Sequence, residues 1–137
     1  MFKHIMAPVD LAHVERLDRA LAVAAEQSKL WGAPVTYVGV TMSSPSAVAH
    51  DPEEFRRKLA AFAANQASQR GIEADSRAIV SHDISIDLDD KLIQAAADMS
   101  ADLIVMQSHV PGFTDYLLPS NGGTVASHAK ASVMIVR

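Results

Sequence analysis

The side chains suited to meeting a small polar ligand cluster in three short stretches: Asp10, then Gln107, Ser108 and His109, then Ser120 and Asn121. A carboxylate such as Asp10 accepts hydrogen bonds only, and it also suits the start of a helix, where it caps free amides. Histidine titrates near neutrality, but His109 has no paired acid or nucleophile beside it in the sequence, and general base work needs one within reach. Ser108 and Ser120 are not framed as Gly-x-Ser-x-Gly, so they give no hydrolase elbow. What Ser120 does offer is a hydroxyl at the mouth of a helix, where unpaired amides and the positive dipole end suit a phosphate.

Other chemistries are excluded. There are no cysteines, hence no disulfide, thiolate metal site or thiol nucleophile. The six histidines (His4, His13, His50, His82, His109 and His128) are dispersed without metal-ligand spacing. Asp83, Asp87, Asp89 and Asp90 lack the glycine and closing glutamate of a calcium loop and read as a solvated helix start. The net charge of −4 and the scatter of basic residues argue against nucleic acid. Arg56-Arg57-Lys58 reads as the wet face of a helix. No run approaches the length of a membrane span, and the start lacks a signal peptide's apolar stretch, so the expected location is the cytoplasm.

Elements must bring the three stretches together. Residues 3–9 form a short apolar run ending at Asp10, the pattern of a strand buried on both faces. His13 to Leu30 changes to helical spacing, with Gly32 and Pro34 as its stop. Val35 to Val40 is β-branched and aromatic, a second strand. Asp51-Pro52-Glu53-Glu54 opens a second helix whose buried stripe is Phe55, Leu59, Phe62 and Ala63, ending near Gly71. A third strand over Ser76 to Val80 is followed by a connector and a helix over Leu88 to Met99. Asp102 to Met106 is the fourth strand, Asn121 to Ala129 a short helix, and Ser132 to Val136 the fifth strand. Trp31 and Tyr37 are expected to pack in the core.

Strands alternating with helices imply an α/β fold: an open, doubly wound, five-stranded parallel sheet of order 3-2-1-4-5, Rossmann-like, with helices on both faces. The 137 residues suit one domain, 1–137. In such a sheet ligands bind beyond the carboxyl ends of the strands. That selects Pro8, Val9 and Asp10 after strand 1, Val40 and Thr41 after strand 2, Gln107 to Val110 after strand 4, and Ser120 and Asn121 at the last helix.

Asp102 to Arg137, reading DLIVMQSHVPGFTDYLLPSNGGTVASHAKASVMIVR, resembles the universal stress proteins, as does the opening strand ending Ala7-Pro8-Val9-Asp10. The likeness is strongest to the subgroup with a Ser-His-x-Pro loop and a Ser-Asn turn. It implies a homodimer that holds ATP or another adenine nucleotide, with or without magnesium, and signals through occupancy, with at most slow hydrolysis. In that reading Asp10 would accept from ribose or adenine and the Val40 backbone would meet the adenine edge. Pro8, Val9, Gln107, His109, Val110, Ser120 and Asn121 would line the rest. Pairing of Val133 to Val136 across a twofold axis would form the dimer, with a tetramer as an extension.

One departure stands out. The family's Gly-x2-Gly-x9-Gly-Ser/Thr motif falls on Gln107, Val110 and Pro119, with eight residues rather than nine between the last two. All three glycines are replaced, and Pro119 has no N–H to offer a phosphate. Two further readings therefore stay open: a nucleotide-free scaffold working by protein contacts, and an enzyme transferring adenylate or phosphate, for which the sequence shows no catalytic constellation.

Overall fold

A computed structural model describes residues 1–108 and 119–137; side chains are described for those residues except Ser85 and 119–122. Five strands form one parallel sheet: β1 (Ile5–Pro8), β2 (Val35–Thr41), β3 (Ala74–Val80), β4 (Leu103–Gln107) and β5 (Ser132–Val136). Their spatial order is β3-β2-β1-β4-β5, the expected order. β1 sits in the middle, with Ile5 opposite both Val35 and Leu103. Every residue of β1 is buried, as a central strand flanked by helices on both faces requires.

The helices are α1 (Asp18–Trp31), α2 (Pro52–Arg70), α3 (Ile84–Asp98) and α4 (Pro119–His128). Strand alternation divides the core. Val35 and Tyr37 face α1 and α2 with Leu21, Ala24, Phe55 and Leu59. Met6, Val38, Ile104 and Met106 face α3 and α4 with Leu88, Leu92 and Val125. Tyr37 is fully buried, edge-on to Phe62 at 5.3 Å between ring centroids. Its hydroxyl has no partner among the described residues, and burial pushes it up to about 12, against the pull of Arg70. Trp31 packs edge-on to Phe2.

The first helix differs from its expected span of His13 to Leu30. A 3₁₀ segment runs Leu11–Arg16, and α1 starts only at Asp18. The physical reason is Asp10. One carboxylate oxygen accepts the Ala12 amide at 3.0 Å and the other meets His13 Nδ1 at 2.9 Å, which pulls His13 out of helical geometry (φ −138°, ψ 43°). α1 closes at Gly32 with φ 64°, as its sequence position suggests.

α2 begins as expected, with the Asp51 carboxylate accepting the Glu54 amide at 2.8 Å. Phe55, Leu59 and Ala63 are buried along it, Phe62 only partly, and Arg56, Arg57 and Lys58 are exposed. α3 starts at Ile84, four residues before the expected Leu88. α4 includes Pro119 in its first turn, where a proline is tolerated because the N–H is unpaired anyway.

The amino ends of the strands carry a hydrogen-bond seam. Asp102 takes the Lys3 amide at 2.9 Å and the His4 amide at 3.0 Å. The His4 ring bridges the Met99 carbonyl at 3.0 Å and Thr36 Oγ1 at 2.7 Å, and the Thr36 hydroxyl donates to Asp75 at 2.6 Å. Burial by itself would raise the Asp102 carboxyl, but the surrounding amides outweigh it and hold it below the usual carboxylate value.

Candidate functional site

At the opposite end of the sheet, where β1 and β2 finish, β1 runs into the 3₁₀ segment and β2 into the loop of residues 42–50. Between them lies a cleft of about 360 Å³. Its floor is Pro8 at the end of β1, Val9 and Asp10 just past it, and Val38, Val40 and Thr41 from β2. The Val9 amide still reaches the Val38 carbonyl at 2.9 Å, so the floor is continuous with the sheet. Phe55 of α2 closes one side and Ile84, Leu88 and Leu92 of α3 the other.

The remaining wall is the loop, through Met42, Ser44, Ser46, Ala47 and Val48. It is held in place from within and from below. Ser46 Oγ accepts the Val48 and Ala49 amides, both at 3.2 Å, and the Ser46 amide reaches the Ala49 carbonyl at 2.8 Å. Lys58 donates to the Val48 carbonyl and pairs with Glu54, which also takes the His50 amide at 2.9 Å. Those donors hold the Glu54 carboxyl below its ordinary value, the His50 amide contributing most and Lys58 next.

Phe55 reaches the cleft because β2 has glycine beneath it. A Cβ on Gly39 would stand 2.8 Å from Phe55 Cζ and 3.2 Å from Leu59 Cδ2, closer than the ring allows. The lining is therefore mostly apolar, with Asp10 as the one carboxylate and His13 as the one ring nitrogen base among the described residues. That combination can enclose a flat apolar group and fix its orientation by hydrogen bonds to Asp10.

Five of the sequence-selected residues, Pro8, Val9, Asp10, Val40 and Thr41, come together in this cleft. Gln107 is placed differently. It ends β4, but its side-chain oxygen accepts the Ala20 amide at 3.3 Å and its amide donates to the Val136 carbonyl at 3.2 Å. It caps the first turn of α1, whose own N-cap, Leu17, supplies no side-chain bond. Its side chain thus braces α1 against β5. His109 and Val110 lie outside the described residues. Ser120 and Asn121 fall within the first turn of α4 rather than ahead of it, and their side chains lie outside those described.

Sequence reasoning missed His13, the Ser44–Val48 wall and the α3 residues. A histidine three residues past a capping aspartate, and a Ser-x-x-Ala turn before Asp51, were the available signals. Asp89, one residue from Leu88, has its carboxyl raised, first by burial, with Thr124 of α4 opposing and Asp90 adding to the rise. One of its oxygens is buried without a partner among the described residues.

The family model described as "Universal stress protein family" matches residues 1–137. Universal stress protein G of Salmonella typhimurium is 28% identical over 142 residues, covering all of both chains. The universal stress protein of Archaeoglobus fulgidus, solved in complex with dAMP, superposes with a TM-score of 0.71 at 21% identity over 98% of each chain. An Arabidopsis thaliana family protein solved with AMP bound gives 0.66 at 18% identity, over 98% of this chain and 90% of that one. At those identities the solved structures speak for the fold, and the match over the full length speaks for the family: the chain belongs to the universal stress protein family.

Proposed function

We propose that the chain binds an adenine nucleotide, AMP or ATP, in the cleft beyond β1 and β2, and acts in the cytoplasm as a homodimeric regulatory module of the stress response. The observation that carries this reading is the cleft itself. An anchored carboxylate, Asp10, sits at the crossover point of the sheet beside an apolar slot bounded by Val40, Val48 and Phe55. Two family members that share the fold were solved with dAMP and with AMP. Asp10 takes the ribose or amine donors, the apolar slot takes the base, and occupancy is the signal. Dimer formation runs through β5, which is an edge strand with Ile135 exposed.

A second reading is favoured by Gln107, whose side chain is committed to Ala20 and Val136, and by Pro119 in the first turn of α4. In it the chain is a nucleotide-free dimer that works by protein contacts. A thermal-shift titration with AMP separates the two. At a hundredfold excess over Kd, binding to the folded state stabilises by about 2.7 kcal/mol and raises Tm measurably. No shift at millimolar AMP, together with no adenine compound released from the denatured protein, leaves the second reading standing.

A further inference from the structure

We infer that the cleft takes its affinity from the nucleoside end of the ligand and gains nothing from the phosphates, so that adenosine and AMP bind as well as ATP. This rests on the reading of the cleft as an adenine-nucleotide site and specifies which part of the ligand it recognises.

The argument is one of charge and donors. Tight binding of a triphosphate needs cations or a nest of close backbone amides to replace the water around several negative charges. The described lining holds no Lys or Arg. Its charged side chains are Asp10 and His13, so it sums to −1 with the imidazole neutral and to 0 with it protonated.

The sequence that follows β4 does not make up the difference. No Lys or Arg occurs between Lys91 and Lys130, a span that includes the whole connection to α4 and all of α4, while Asp98, Asp102 and Asp115 add negative charge. The three glycines that would let amides close around phosphates are Gln107, Val110 and Pro119 here. Gln107 spends its side chain on Ala20 and Val136, and Pro119 removes one amide from the first turn of α4.

Cations elsewhere near the cleft are engaged or turned away. Lys58 holds the Val48 carbonyl and Glu54. Arg16 and Arg19 are exposed and do not line the cleft. The nucleoside end, by contrast, finds Asp10 and an apolar slot already built.

The test is isothermal titration of the full chain with adenosine, AMP and Mg-ATP in one buffer. The expected result is that Mg-ATP binds no more than about threefold tighter than adenosine, a difference near the noise of RT ln K. If Mg-ATP binds more tightly than that, this inference is overturned while the adenine-nucleotide reading survives. If none of the three binds, the reading itself falls and takes the inference with it.

Discussion

Asp10 does two jobs with one carboxylate. It shapes the 3₁₀ segment through Ala12 and His13, and it presents the cleft's only described negative charge. Asp10→Ala therefore removes a cap, worth about 1 kcal/mol, and with it the anchor that the proposed function assigns to the ligand's donors. Its expected signature is a modest fall in Tm with a loss of AMP binding of tenfold or more by calorimetry, roughly one charge-assisted hydrogen bond. Asp102 gives a residue-scale prediction about pH. Its folded value lies below the unfolded one of about 3.9, so its contribution is fully present above that value and is lost as pH falls through the folded one. Asp102→Asn should cost about 1 kcal/mol at pH 7, discounted for partial exposure, and in urea melts the gap to wild type should begin to narrow near pH ~4 and close only below the folded value.

At the scale of elements, close packing of α2 against β2 sets the shape of the cleft. Gly39→Ala would push Phe55 off its seat, and overpacking of this kind costs about 1–3 kcal/mol in denaturant melts. Phe55→Leu in the same chain should recover part of that loss. Most elements were legible because their signals were local: the apolar runs of β1, β2 and β4, the Asp51-Pro52 start of α2, and Gly32 closing α1. The misplacements share a cause. At Leu11–Arg16 the carboxylate of Asp10 competes for backbone amides, which no hydrophobic period records. β3 begins early, at Ala74, because its backbone pairs with β2 from Val35 onward. In the sequence Gln107 reads only as the end of a strand, because its partners lie 87 and 29 residues away and only the folded chain brings them together.

For the whole molecule, the two ends of the sheet carry different duties. The amino ends are tied by His4, Thr36, Asp75 and Asp102, while the carboxyl ends open into the cleft. Both side edges are partly open, and Val80 of β3 is as exposed as Ile135 of β5. β3 is flanked by α2, and β5 leaves Ile135 exposed beside partly buried Val133 and Met134. If copies pair through β5, Ile135→Lys should yield a monomer by light scattering with an unchanged circular dichroism spectrum, since the residue faces away from the core. A dimer that persists would move the interface elsewhere.

The most direct measurement is an NMR titration of the isotopically labelled chain with AMP. Binding as described predicts shifts at Asp10, His13, Val40, Val48 and Phe55, with the His4–Asp102 seam unmoved. Shifts centred on that seam or on the outer edge of β5, or none at saturating ligand, would contradict it.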